Sequence, residues 1–249
     1  MNVHVRVEAV PEGPGEDQVV VEEPLEIRVE GQMTAVTMRT PGHDLDLVAG
    51  FLWTEGVIEG ADDLRALAEV GVNTVDVRLA EGVPPARARS ADRSMFASSS
   101  CGICGSASVS HLRRTAPRLR PWRPPAEVLL RLPARLEEKQ LDFGATGGLH
   151  AAALFDETGE ILLLREDVGR HNAVDKVLGA ALREDRDLRG LGLVVTSRAG
   201  FELVQKAWIA GVSALVAFGA PTSLAVTTAQ AAGLCLVGWL RPERCVYFC

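Results

Sequence analysis

The stretch Leu191-Gly-Leu-Val-Val-Thr196-Ser-Arg-Ala-Gly200-Phe201-Glu-Leu-Val-Gln-Lys-Ala-Trp-Ile-Ala210-Gly-Val-Ser-Ala214-Leu-Val-Ala-Phe218 decides the fold. Its two short apolar runs, Leu191 to Thr196 and Ala214 to Phe218, read as buried strands, and Phe201 to Ala210 between them reads as a helix. The alternation continues on both sides. Upstream, Ala145-Thr-Gly-Gly-Leu-His150 leads into Ala151 to Phe155, a turn at Asp156 to Gly159, a strand from Ile161 to Leu164 and a helix from Asn172 to Arg183. Downstream, Leu224 to Ala232 is a helix and Leu234 to Leu240 a strand. Short glycine- or proline-marked joints between such elements predict a three-layer α/β domain with a mainly parallel sheet.

The first half reads as strands. Leu25-Glu-Ile-Arg-Val29 and Ala35-Val-Thr-Met-Arg39 alternate apolar and polar residues about a joint at Gly31-Gln32, which predicts a hairpin or meander. Thr40-Pro-Gly-His43-Asp-Leu supplies a turn and cap before a helix from Leu45 to Glu55, with Leu47, Val48, Phe51 and Leu52 on one face. His43 reads as a turn residue and Trp53 as a packing aromatic. Asp62 to Val70 reads as a short amphipathic helix and Asn73 to Leu79 as a strand. Thr115 to Pro125 holds four of the thirteen prolines and stops helix and strand alike, so it divides the chain. Pro133 divides the helical pattern from Ala126 to Lys139. The expected organisation is α/β (α+β overall): a smaller strand-rich domain over 1–114, a connector over 115–125 and an α/β domain over 126–249.

The chain has 249 residues, a formal net charge of −7 and a pI of about 5.3. That balance argues against a general binder of nucleic acid or anionic membrane, so an anionic ligand must be met locally. No apolar run is long enough to span a bilayer and the N-terminus lacks a secretory pattern, which makes the expected location cytoplasmic. Five cysteines at low density fit reduced thiols better than a disulfide framework.

Two of those cysteines form Ser98-Ser-Ser-Cys101-Gly-Ile-Cys104-Gly-Ser-Ala-Ser108. Serine and glycine bury almost nothing, so this composition predicts a solvated loop that presents both thiols. A reactive thiolate needs positive charge nearby, and His111-Leu-Arg113-Arg114 follows within ten residues. Three other readings stand beside a reactive pair. Cys235, Cys245 and Cys249 could complete a zinc site, although no second Cys-x-x-Cys exists. A thioredoxin-like redox pair is another, and incidental cysteines a third.

In open α/β sheets ligands bind beyond the carboxyl ends of the strands. The polar residues there form a set: Arg165-Glu-Asp-Val-Gly-Arg170-His171-Asn, Thr196-Ser-Arg198-Ala-Gly200, Gly219-Ala-Pro-Thr-Ser223 and Gly238-Trp239-Leu240-Arg241-Pro242-Glu243-Arg244. Three of the four begin a helix, whose free N–H groups attract phosphate, and Arg165, Arg170, Arg198, Arg241 and Arg244 add charge suited to it. Singly each has a plainer reading. Asp175 and Lys176 with Arg170 and His171 could be surface pairs on a helix, His150 and His171 hydrogen-bonded structural residues, and Trp239 a core residue.

Cys101-Gly-Ile-Cys-Gly105, Thr146-Gly-Gly-Leu-His-Ala-Ala152, Arg165-Glu-Asp-Val-Gly-Arg-His-Asn-Ala-Val-Asp-Lys176, Thr196-Ser-Arg-Ala199 and Leu236-Val-Gly-Trp-Leu-Arg-Pro242 together resemble the FdhD family, sulfur carrier proteins required for formate dehydrogenase. Glu23-Pro-Leu25 and Phe51 to Glu59 extend the resemblance over nearly the whole chain. It implies a C-terminal domain of cytidine-deaminase-like fold and a homodimer. It further implies a sulfurtransferase that takes persulfide sulfur from a cysteine desulfurase and delivers it to molybdenum bis(molybdopterin guanine dinucleotide) for formate dehydrogenase. In that reading Cys101 carries the persulfide and Cys104 assists. Trp239, Leu240, Arg241, Pro242, Glu243 and Arg244 contact the guanine nucleotide portion, which a guanine nucleotide would mimic, and Arg170 and His171 join them. Glu243 departs from the glycine usual in that family. Deamination is excluded, because His150 is followed by Ala151-Ala152 and the remaining zinc ligands are missing. The alternative is a non-catalytic chaperone of the molybdenum cofactor with structural cysteines, held by zinc or a disulfide.

Overall fold

The computed structural model describes residues 2–9, 11, 13–84, 112 and 116–249. Cys101 and Cys104 lie outside the described residues. The chain opens with a two-stranded antiparallel ribbon, β1 (Asn2–Ala9) and β2 (Gly13–Val20). A four-stranded sheet follows, in the order β4-β3-β6-β5, built from β3 (Glu23–Val29), β4 (Gln32–Arg39), β5 (Leu64–Gly71) and β6 (Thr74–Leu79). The β3–β4 hairpin turns on Glu30 and Gly31, with φ of 54° and 76°, a pair of left-handed residues that matches the twist of the strands.

Helix α1 (Asp44–Thr54) covers this sheet. Leu47, Val48 and Leu52 are fully or almost fully buried against Leu25, Ile27, Val75 and Val77. His43 takes the left-handed turn conformation expected of it, with φ of 57°. Asp62 to Val70 is not a helix. A single 3-10 turn at Ala61–Asp63 gives way to β5, which pairs antiparallel with β6 along its length. The leucines at 64 and 67 that suggested helical spacing both reach the core from an edge strand, so backbone pairing to β6 overrides the local pattern.

The second half is three-layered. Its sheet runs β12-β11-β10-β9-β7-β8, from β7 (His150–Phe155), β8 (Ile161–Asp167), β9 (Gly192–Val195), β10 (Ala214–Ala217), β11 (Cys235–Arg241) and β12 (Arg244–Tyr247). Only the β9–β10 and β10–β11 pairs are parallel, while β7 pairs antiparallel with both β8 and β9 and β12 pairs antiparallel with β11. The sheet is therefore mixed, not mainly parallel. Pro133 does divide its helical stretch, into α2 (Ala126–Leu129) and α3 (Leu132–Glu137), which pack Leu129, Leu132 and Leu136 on one face with Phe155, Val194 and Val216. A further short helix, α4 (Leu141–Thr146), precedes β7. Helices α5 (Arg170–Arg183), α6 (Phe201–Ile209) and α7 (Ser223–Ala232) cover the other face through Val174, Leu203 and Ala225. Residues 116–125 form neither helix nor strand and are largely exposed, but two of their carbonyls are tied down: Trp208 Nε1 donates to the Pro117 carbonyl at 3.0 Å and the Tyr247 hydroxyl to that of Pro124 at 2.6 Å.

The two halves meet where α1 crosses α5. A Cβ added at Gly50 would overlap the Asp175 carbonyl, and one at Gly179 would overlap that of Asp46. Only glycine permits this approach. Charges are buried along the seam. Lys206 meets Asp175 at 2.9 Å and Thr54 Oγ1 at 2.9 Å, and Lys176 meets Asp167 at 2.7 Å and the Thr40 carbonyl at 2.8 Å. Asp175 and Lys176 are thus 2% and 1% exposed and are not surface pairs. Burial alone would lower the Lys206 ammonium, but Asp175 and Glu55 raise it above its ordinary value and keep it charged.

Gly179→Ala should cost about 3 kcal/mol or more, because backbone must move rather than a flexible side chain, and should lower Tm by roughly 6 °C or more at this chain length. Gly144→Ala, in α4 with open space at its Cβ, should leave Tm unchanged or raise it slightly. Thermal denaturation of both variants checks the crossing; equal Tm values would refute it.

Candidate anion-binding cleft at the carboxyl edge

Strands β8, β9, β10 and β11 all aim their carboxyl ends at one edge of the large sheet. Strand β7 runs the other way and so brings its first residue, His150, to that same edge. There a cleft of about 610 Å³ opens, with His150, Arg170, Arg198 and Arg241 as its ionisable lining. Thr196, Ser197, Phe218 and Gly219 complete the wall. Among the described residues no carboxylate lines it.

Its floor is set by backbone. Beyond the strand ends the loops continue the ladder: Phe218 N donates to the Val195 carbonyl, Gly219 N to that of Ser197, and Trp239 N to that of Gly219, at 3.0, 3.0 and 3.2 Å. Ala199 and Thr222 extend it, through Ala199 N to the Ala220 carbonyl at 3.2 Å and Thr222 N to that of Ala199 at 3.0 Å. A Cβ at Gly219 would fall 2.9 Å from Arg198 Cα, so glycine lets the two loops close together. Arg198 is thereby carried on a backbone held from both sides.

The guanidinium groups divide into two kinds. Arg165 turns to α1, donating to Asp46 at 2.9 and 3.1 Å beside Arg183, so it does not belong to the phosphate-suited set. Among the described residues, the guanidinium groups of Arg170 and Arg198 have no hydrogen-bond or ion-pair partner. Arg241 is oriented by its Nη1, which donates to the carbonyls of Phe218 and Leu240 at 2.9 and 2.6 Å. Three arginines facing a space without carboxylates suit an anion with several oxygens. His150 is held below the ordinary histidine pKa by burial, then by the charges of Arg170 and His171, which favours the neutral ring.

The other expected site residues are placed as follows. His171 lies outside the cleft lining, its Nε2 2.7 Å from Glu202 Oε2, linking α5 to α6. Trp239 is not a core residue: it is 44% exposed, with φ of 55°, at the irregularity where β11 pairs with β12. Leu240 is fully buried in the core, so its side chain faces away from solvent. Pro242 and Glu243 form the exposed turn between Arg241 and Arg244, which pair across the β11–β12 hairpin. Sequence reasoning gave His150 a structural reading as readily as a catalytic one and did not single out Phe218. The missing signal was the direction of β7, which hydropathy does not encode.

A larger groove of about 1070 Å³ lies at the opposite end, among the carboxyl ends of α1, α5 and α6. Glu55, Glu59, Asp62, Asp185 and Asp187 line it, and its Arg186 and Arg189 are paired to Glu184 and Asp187. Its sign is wrong for an anion. The thiols of Cys235, Cys245 and Cys249 are free, and burial raises all three, Cys235 to about 11, which disfavours the thiolate. Among the described residues no group of three or more His, Cys, Asp or Glu side chains could hold a metal ion.

A family model described as FdhD/NarQ matches residues 20–249. The protein named sulfur carrier protein FdhD from Streptomyces avermitilis is 47% identical, over 96% of this chain and 89% of its own length. That of Mycobacterium tuberculosis is 46% identical over 91% and 88%. A solved structure from Desulfotalea psychrophila, described as a candidate formate dehydrogenase accessory protein, shares the fold with a TM-score of 0.81 at 23% identity, covering 99% of this chain and 96% of that one.

Arg198→Gln should weaken binding of inorganic pyrophosphate about tenfold or more, the loss of a charge-assisted contact, while a Glu59→Gln change in the opposite groove should not. Isothermal titration calorimetry reads both. Equal affinity of wild type and Arg198→Gln would remove the cleft as the anion site.

Proposed function

Because the chain belongs to the FdhD/NarQ family, we propose that it is a sulfur carrier that takes sulfane sulfur from a cysteine desulfurase and delivers it to molybdenum bis(molybdopterin guanine dinucleotide) destined for formate dehydrogenase. The observation that carries this reading is the arginine cleft. A dinucleotide cofactor brings phosphates, and Arg170, Arg198 and Arg241 face a rigid, carboxylate-free space of suitable size. The exposed Trp239 ring beside it offers a face for a guanine base.

In the proposed cycle the Cys101 thiolate attacks the outer sulfur of the desulfurase persulfide. One S–S bond breaks, another forms, and the desulfurase leaves as a thiolate with no net redox change. Cys104 then attacks the inner sulfur of the Cys101 persulfide, closing a disulfide and releasing the outer sulfur as sulfide for the metal. The two electrons come from the thiol pair, and an external thiol reductant, itself oxidised to a disulfide, restores both thiols before the next turn. Rigid cleft and thiol pair thus have separate tasks, one holding the acceptor and one moving the sulfur. The reaction is assigned to the cytoplasm and to a homodimer, in keeping with the family.

Incubation with a cysteine desulfurase and cysteine should add about 32 Da, one sulfur atom, to the peptide containing Cys101. Cys101→Ala should abolish production of active formate dehydrogenase while leaving Tm unchanged. Zinc bound at one per chain without any sulfur adduct, or full activity of Cys101→Ala, would instead make the chain a cofactor chaperone with structural cysteines.

A further inference from the structure

His150 stands apart from the other four histidines of the chain. Among the described residues it is the one histidine that lines the cleft, and β7 delivers it there by running against its neighbours. Among the described residues, the charged groups around it come from β8, α4, α5 and the ends of β9 and β11. Across β8, Asp167 is its cross-strand partner, but that carboxylate is saturated by Lys176, the Thr40 and Gly169 amides and Asn172. Glu166 accepts from the amides of Asp142 and Phe143 at the start of α4. From α5 come Arg170 and His171, the latter bound to Glu202 of α6, and from the ends of β9 and β11 come Arg198 and Arg241. The imidazole is therefore surrounded by cations on the cleft side, and the nearby carboxylates are spoken for.

We propose that His150 is the proton-accepting member of the cleft, becoming imidazolium as a phosphate group seats among Arg170, Arg198 and Arg241. This rests on reading the cleft as a phosphate site. In the empty cleft, burial and the arginine charge keep the ring neutral. A dianion placed among the arginines cancels that repulsion and supplies an acceptor, which favours the protonated ring. The reaction balances with one proton from solvent and no other change. The sign follows directly: the pKa of His150 is higher with ligand than without, so binding takes up a proton between the two values. Affinity rises as pH falls through the liganded pKa and levels off below the free one. Loading would then be favoured at lower pH and release at higher pH, a dependence the arginines alone cannot supply because they stay charged throughout.

Sulfate is the appropriate probe, since its own charge is constant from about pH 5 to pH 9. A rise of one unit in the His150 pKa makes sulfate binding several-fold tighter at about pH 5.5 than at about pH 8, with about tenfold as the limit reached only well below the free pKa. His150→Gln should abolish that dependence, and His171→Gln should retain it. Imidazole NMR of the wild-type protein gives a second measure that needs no variant: saturating sulfate should raise the His150 pKa by about one unit. An unmoved His150 pKa, or a pH dependence that survives in His150→Gln, overturns the inference and leaves the anion site standing. Sulfate binding that Arg198→Gln does not weaken overturns the site itself, and the inference with it.

Discussion

The contact on which the molecule depends is the crossing of α1 over α5 at Gly50 and Gly179. Two helices whose backbones touch leave no room for side chains between them, so the groups that would ordinarily be solvated at such a junction are forced into contact. The result is the seam of Lys206 with Asp175 and Thr54, Lys176 with Asp167 and Thr40, and Arg165 and Arg183 with Asp46. Buried ion pairs of this kind contribute little net stability over apolar packing, but removing one partner leaves a charge stranded at a cost of about 3–5 kcal/mol. The seam therefore acts mainly as a register device. It accepts one docking of the strand-rich half on the α/β half and penalises others.

That docking reaches the cleft through residues that never touch it. Asp167 ends β8, and its carboxylate receives Thr40 N from the first half together with Lys176, Gly169 N and Asn172 from the start of α5. Asn172 in turn donates to the Met38 carbonyl of β4. The first turn of α5 is thus fixed to the N-terminal sheet, and Arg170 stands on that turn. Arg198 and Arg241 are held independently, by the ladder of loop amides and by carbonyls at the strand ends. Three charges positioned by three different backbone anchors need little reordering to receive an anion, which keeps the entropic cost of binding low.

Much of this was legible from the chain alone, for reasons particular residues make plain. The runs around Val194, Leu215 and Leu236 are apolar on both faces because helices cover both faces, and their strands and intervening helices followed. The recurrence of arginine after strand ends pointed to the edge at which Arg170, Arg198 and Arg241 line one cleft. What failed was information carried by pairing rather than by pattern. Asp62 to Val70 has leucines at a helical interval, but its backbone is claimed by β6. Arg165 looks like its neighbours in the sequence, yet its position within β8 turns it to Asp46. Asp175 and Lys176 read as surface charge because nothing local records that Gly50 will bring another helix onto them. The role of His150 stayed open because the direction of β7 depends on which neighbours it joins.

The sign of the charge gives the cleft its selectivity. On a chain carrying a formal net charge of −7, the long-range field repels anions, and the groove at the opposite end of the sheet is lined by five carboxylates. An anion is attracted only within about a Debye length of the arginines, roughly 8 Å at physiological ionic strength. Short range is an advantage to a protein that must ignore the bulk pool of small phosphates, because affinity then comes from several oxygens contacting Arg170, Arg198 and Arg241 together rather than from diffuse attraction. The same geometry demands that those guanidinium groups be spared from internal pairing. Elsewhere Arg39, Arg165 and Arg183 are consumed by Asp44 and Asp46. Leaving Arg170 and Arg198 unpaired in a cluster of like charge costs stability, which an anion seated among them returns by binding the folded state.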